Sequence, residues 1–149
     1  MTELPRVTIY SDGACDGNPG PGGWAVLLRY EQREQALTGS DPETTNNRME
    51  LTAAIQALSA LKQPCQVDFY TDSEYLRRGI TEWLPNWRER NWRRKGGALA
   101  NVDLWRALDT AVQPHSIEWN WVRGHAGDRY NQHVDRLAKR AIQMTKKTK

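Results

Sequence analysis

Val7 and Ile9 alternate with polar neighbours, which predicts a strand over Arg6–Ser11. It is followed by Asp12–Gly23, where six of the last seven residues are glycine or proline, a composition that predicts a loop. Trp24–Tyr30 reads as a second strand and Glu34–Gly39, more weakly patterned, as a third, so the chain opens with an antiparallel meander. Leu51, Ile55, Leu58 and Leu61 then recur at helical spacing to about Lys62, with Asn46 or Asn47 as N-cap. Val67, Phe69 and Thr71 form a strand that stops at Asp72, and Ser73 can cap a helix through Tyr75, Leu76 and Ile80 that Pro85 ends. Asn86–Gly97 has no apolar stripe. A helix through Leu104, Trp105, Leu108 and Val112, a strand through Ile117, Trp119 and Trp121, and an amphipathic helix through Val134, Leu137, Ala138, Ala141 and Ile142 complete the pattern, with Lys146–Lys149 as a frayed tail. Three strands followed by alternating helices and strands give an α/β chain with a mixed sheet and helices packed on it.

The 149 residues fit one domain, with no linker or internal repeat, and 38% hydrophobic against 26% charged residues is a globular composition. The longest apolar run, Trp24–Leu28, is far short of the ~20 residues a membrane helix needs. Met1–Tyr10 lacks the basic start and long apolar stretch of a signal peptide, so the expected address is the cytoplasm. Two cysteines, Cys15 and Cys65, have no zinc-site spacing and read as free thiols. The net charge of +3 conceals an asymmetry: residues 1–80 carry seven Lys/Arg against eleven Asp/Glu, and 81–149 carry fourteen against seven. A basic half beside an acidic one points to a polyanion partner and a separate carboxylate cluster, although charge alone also fits a merely solvated surface.

Asp12 and Asp72 each follow a strand, in the twin runs Ile9-Tyr-Ser-Asp12 and Phe69-Tyr-Thr-Asp72, so their carboxylates face the crevice where open α/β sheets take ligands. Glu50 lies at the start of the first long helix, and Asn131 and Asp135 share a face of the last one. Four carboxylates gathered together repel unless a cation sits among them, and an all-oxygen set suits Mg²⁺ or Mn²⁺, the pattern of a two-ion phosphodiester hydrolase. Taken singly, each acid reads equally as a cap or surface charge, and Asp68, Asp103 and Asp109 are left in that role. Arg88–Lys95 packs five cations and one acid beside Trp83, Trp87 and Trp92, a combination that suits phosphates and sugars but also a solvated helix that its tryptophans fix to the body.

Several runs together carry a resemblance. Asp12-Gly-Ala-Cys-Asp-Gly-Asn-Pro-Gly-Pro-Gly-Gly-Trp24, Thr45-Asn-Asn-Arg-Met-Glu50-Leu, Tyr70-Thr-Asp72-Ser, Asn101-Val-Asp-Leu-Trp105 and Trp121-Val-Arg-Gly-His125-Ala-Gly127, followed by Asn131 and Asp135, closely resemble bacterial type 1 ribonuclease H over nearly the whole chain. The resemblance implies one ribonuclease H-like domain over residues 1–149, with a mixed five-stranded sheet and a basic Trp-rich protrusion at about 84–100. It implies an endonuclease that cuts the RNA strand of RNA/DNA hybrids without sequence specificity, leaving 5′-phosphate and 3′-hydroxyl ends. Asp12, Glu50, Asp72 and Asp135 would be its catalytic metal ligands for two Mg²⁺, with Mn²⁺ as substitute, and His125 would transfer a proton or assist product release. Cys15, Asn18, Asn46 and Asn47 match positions that meet the 2′-hydroxyl side of the hybrid, and Thr45 matches a DNA-phosphate contact. Asn131 also matches a substrate-side position, and Trp83, Trp87, Arg88, Arg90, Trp92, Arg93, Arg94 and Lys95 match the protrusion that grips the DNA strand. Glu43 and Glu74 depart from the family pattern, which has a basic residue and a neutral amide there. A monomer without an obligate protein partner or membrane is expected. The rivals are a nuclease of the same fold with another substrate, as in resolvases and integrases, and a non-catalytic nucleic-acid-binding module.

Overall fold

The computed structural model describes residues 4–92, 100–122 and 129–147. The elements are β1 (Arg6–Cys15), β2 (Gly20–Tyr30), β3 (Arg33–Thr44), α1 (Asn46–Ser59), β4 (Gln66–Thr71), α2 (Glu74–Arg78), a π-helical turn (Gly79–Trp83), α3 (Leu84–Glu89), α4 (Val102–Val112), β5 (Ser116–Trp121) and α5 (Arg129–Lys147). The sheet order is β3-β2-β1-β4-β5. β1 and β3 flank β2 antiparallel, while β4 runs parallel to both β1 and β5. The mixed five-stranded architecture is the expected one.

β1 is buried on both sides. Val7 and Ile9 join Leu51, Ala54, Phe69 and Trp105 in the larger core, whereas Tyr10 joins Ala25, Leu27, Val134 and Ala138 beneath α5. Helices α1 and α4 therefore cover one face and α5 the other, which places the middle of the sheet between two apolar layers.

Four local expectations are corrected. The glycine-rich run is mostly hairpin: β1 continues to Cys15, and Asp12, Gly13, Ala14 and Cys15 pair with Ala25, Trp24, Gly23 and Gly22. Its glycines serve close approach, since a Cβ on Gly23 would overlap the Ala138 carbonyl of α5. β3 runs well past Gly39 to Thr44, held by its ladder to β2 and tolerant of Pro42 because it is an edge strand. The N-cap of α1 is Thr45, whose hydroxyl accepts from the Arg48 amide at 3.2 Å, and the helix closes at Ser59. Pro85 does not stop the helix that Ser73 caps. The π turn lets the Leu84 amide donate to the Gly79 carbonyl five residues back, and Pro85 then falls in the first turn of α3, where no N–H is required. At the C-terminus, helix α5 continues through Lys147 into the expected tail.

Candidate active site

β1 outruns its parallel neighbour. Its pairing with β4 ends at Tyr10 opposite Tyr70, while its antiparallel pairing with β2 continues to Cys15. A crevice opens beyond the carboxyl end of β4, with Asp12 on its wall and Asp72 one residue past the last strand residue, Thr71. Asp12 is thus a strand residue rather than a loop residue. Side-chain alternation puts it on the same face as Tyr10 and Ala14, the face covered by α5. Asp135 comes from that helix and is hydrogen-bonded to Asp12.

Glu50 reaches the crevice from α1 because Gly13 lets the helix lie against the strand. A Cβ on Gly13 would stand 2.5 Å from both the Glu50 amide nitrogen and the Met49 carbonyl carbon. Both Glu50 oxygens are held: the Asn46 amide donates to Oε1 at 3.0 Å and the Ser73 hydroxyl to Oε2 at 2.5 Å. Ser73 in turn accepts from the Leu76 amide at 3.0 Å, so one hydroxyl caps α2 and orients Glu50. That second duty of Ser73 was invisible in the sequence, where only its capping position after Asp72 could be read.

The cluster is short of positive charge. Burial, reinforced by Asp72 and by the hydrogen bond and charge of Asp135, pushes Asp12 up to about 9. Burial likewise pushes Glu50 up to about 7, with Asp72 adding to the rise against the hydrogen bonds from Ser73 and Asn46. The Lys139 ammonium, 3.1 Å from Asp135, is a nearby counter-charge. Among the described residues no group of three or more His, Cys, Asp or Glu side chains is already placed to hold a metal ion. An open, all-oxygen donor set of this kind nonetheless fits a hard divalent cation, which keeps water or substrate oxygens in its remaining positions.

Around this centre, Cys15 donates its thiol to the carbonyls of Thr44 at 3.4 Å and Gly20 at 3.5 Å, and both cysteines are free. The Asn18 side-chain oxygen accepts from the Asn46 backbone N–H at 3.2 Å, tying the β1–β2 turn to the start of α1. Asn47 is exposed beside it, and Asn131 is buried in α5 one turn before Asp135. Arg48 links α1 to α4 through a two-pronged pair with the exposed Asp103 in the first turn of α4, at 2.8 and 3.1 Å. Glu43 and Glu74 are exposed, the latter paired with Arg77 at 3.2 Å.

The tryptophans of the basic segment are anchored. Trp83, Trp87 and buried Trp105 have centroids 5.6 to 6.2 Å apart, and Trp92 lies tilted against Trp87 at 6.4 Å. Arg88 is committed to Asp109 on α4, while Arg90 is exposed. Arg93, Arg94, Lys95 and His125 lie outside the described residues.

A mixed five-stranded sheet with helices on both faces, and acids gathered beyond the end of its central parallel pair, defines the ribonuclease H-like fold. The RNase H family model matches residues 5–143. Ribonuclease HI of Pseudomonas aeruginosa is 57% identical over 143 residues, covering 95% of this chain and 97% of that one. A Bradyrhizobium ribonuclease H is 51% identical over 150 residues, covering 100% and 97%. Among solved structures, LC9-RNase H1, described as a type 1 RNase H, superimposes with a TM-score of 0.89 at 38% identity, covering 97% of this chain and 75% of that one. LC11-RNase H1, solved in complex with an RNA/DNA hybrid, shares the fold at a TM-score of 0.70 and 22% identity, covering 93% and 97%. The chain belongs to the ribonuclease H family: it is a nuclease of the hydrolase class, acting on the RNA strand of RNA/DNA hybrids.

Proposed function

We propose that the chain cleaves hybrid RNA by metal-assisted hydrolysis centred on Asp12, Glu50, Asp72 and Asp135, without base specificity. What supports this reading is that Asp12 on β1, Glu50 on α1, Asp72 after β4 and Asp135 on α5 influence one another electrostatically, and that burial, with these neighbouring acids adding to it, drives Asp12 and Glu50 toward protonation. Two divalent ions, Mg²⁺ or Mn²⁺ in its place, would supply activation of the attacking water and stabilisation of the departing 3′ oxygen, which gives 5′-phosphate and 3′-hydroxyl products.

The chain's own residues supply placement. Ser73 and Asn46 hold Glu50 by both oxygens, and Asn18 holds the turn that follows Cys15 against the same helix end. This brings short polar groups and close backbone beside the acids, the arrangement that 2′-hydroxyl recognition in a hybrid's minor groove requires. Thr45, Asn47 and Asn131 border that ground. His125, between β5 and α5 in the sequence, is assigned proton transfer or product release. Arg90, Arg93, Arg94 and Lys95 are assigned the DNA-strand phosphates, and contacts of that kind carry no base information. Trp83, Trp87 and Trp92 serve chiefly to fix this segment to the body. The free thiols fit a reducing compartment, and a cytoplasmic monomer completes the reading.

The test is incubation of the purified protein with Mg²⁺ and end-labelled hybrid, duplex DNA and duplex RNA. Cleavage of the hybrid's RNA strand alone, lost in Asp72→Asn, is the expected result. Cleavage of duplex DNA would favour the resolvase-like alternative. Binding without cleavage would favour the non-catalytic module.

A further inference from the structure

A second charged cleft lies on the other side of α5, away from the carboxylates. Tyr130, in the first turn of that helix, packs on Tyr10 with centroids 5.0 Å apart, and Tyr10 stacks on Tyr70 at the same distance. Two guanidiniums lie against the Tyr130 ring: Arg29 at 4.3 Å and Arg129 at 4.9 Å from its centroid. Arg129 also donates to the Tyr130 hydroxyl at 2.8 Å. Arg129, His133 and Arg136 follow one another at helical spacing and, with Leu27, Glu34 and Tyr130, line a cleft of about 200 Å³.

The charges there do not balance. Glu34 is the one acid among the lining residues, and it is bound to Arg29 at 3.0 Å. Asp135 on the neighbouring face is engaged by Lys139. His133 and Arg136 make no side-chain hydrogen bond or ion pair among the described residues. Arg29, Arg129 and Arg136 around one cleft outnumber Glu34, and an anion held by Arg129 and Arg136 would offset that excess of positive charge. The planar guanidinium fork matches phosphate oxygens in pairs. The volume is below that of small-molecule sites, roughly 300–1,000 Å³, and suits a phosphate or pyrophosphate group rather than a whole nucleotide.

We infer that this cleft, lined by Glu34, Arg129, Tyr130, His133 and Arg136 with Arg29 against the Tyr130 ring beside it, is an auxiliary phosphate-binding site separate from the carboxylate centre. Tyr10, on which Tyr130 rests, precedes Asp12 by two strand residues, roughly 7 Å along β1. Phosphate from either of two sources can reach it: the backbone of a nucleic-acid strand running past α5, or a free small polyphosphate. The first source rests on the proposed hybrid cleavage, whereas phosphate binding itself does not.

Inorganic pyrophosphate is titrated into the full-length protein and followed by backbone amide NMR, in the parent, in Arg129→Glu/Arg136→Glu and in the milder Arg129→Gln/Arg136→Gln. Both side chains are exposed, so the fold is retained. The expected result is saturable movement of the Arg129, Tyr130, His133 and Arg136 signals in the parent, with Kd raised roughly tenfold or more by charge reversal and less by neutralisation. Absence of movement at those residues, or equal Kd in all three proteins, overturns the site. Hybrid binding in Ca²⁺ then separates the sources, using one hybrid of two helical turns and another of less than one turn. A log affinity–log salt slope shallower by roughly 0.9 per lost contact, for the long hybrid only, assigns the cleft to the strand backbone. Pyrophosphate binding lost with hybrid slopes unchanged supports the site as a receptor for free polyphosphate.

Discussion

Gly13→Ala tests how the acids are brought together. The added Cβ would lie 2.5 Å from the Glu50 nitrogen, 2.5 Å from the Met49 carbonyl carbon and 2.9 Å from the Glu50 Cα, all of them backbone, so no side chain can rotate away. Ordinary contact begins at 3.4 Å, and α1 must therefore retreat from β1 by about 0.9 Å at the residue that carries Glu50. Overpacking of this kind costs about 1–3 kcal/mol, which lowers Tm by roughly 2–12 °C in a chain of this length. The functional loss should exceed what stability explains, because displacing a reacting group by about 1 Å costs on the order of 100-fold in rate. The assay is single-turnover cleavage of a labelled hybrid at saturating enzyme, well below Tm. Leu58→Ala, two turns further along the buried face of α1, provides the control: it removes about 2–5 kcal/mol but leaves Glu50 in place, so its turnover per folded molecule should be normal. A folded Gly13→Ala protein cutting within twofold of the parent would refute the idea that this close approach sets the position of Glu50.

Three other outcomes follow. Without metal, Asp12 at about 9 and Glu50 at about 7 lie above their ordinary values of 3.8 and 4.5, so the stability linked to their protonation is full below pH 4 and lost as pH rises through 7 and 9. Asp12→Asn should therefore raise Tm in EDTA at pH 9 and change it little at pH 4, while abolishing cleavage; thermal melts giving the same difference at both pH values would contradict the sign. Ser73→Ala should lower kcat about tenfold with little change in KM, and Ser73→Thr, which can restore both cap and tether, should recover most of it; a deficit of stability alone would reduce Ser73 to an N-cap. Replacing Arg90, Arg93, Arg94 and Lys95 with Ala should raise KM far more than it lowers kcat and should flatten the salt slope by roughly 0.9 per phosphate contact, whereas Arg88→Ala, which breaks the pair with Asp109, should act mainly on Tm; equal salt slopes for the parent and the fourfold variant would leave the charges facing solvent.

Local pattern determined the five strands, the long helices and the acids worth attention, because side-chain period and capping chemistry are written residue by residue. Val7 and Ile9 announced β1, and Asp72 followed its strand as expected. The resemblance then joined acids more than a hundred residues apart, which spacing by itself could only suggest. Tertiary packing decided the rest. Asp12–Cys15 looked like loop because glycine is ordinarily a breaker, yet here the missing side chains make room for Glu50 and α5, and that room is defined by other elements. Pro85 looked like a stop because the π turn that shifts its hydrogen-bond register comes from a helix continuing over the Trp83–Trp87–Trp105 cluster. The charge state of Asp12 and Glu50, the double duty of Ser73 and the pair of guanidiniums on Tyr130 depend on distances between elements that no one-dimensional pattern contains. Sequence names the groups; burial and proximity set their chemistry.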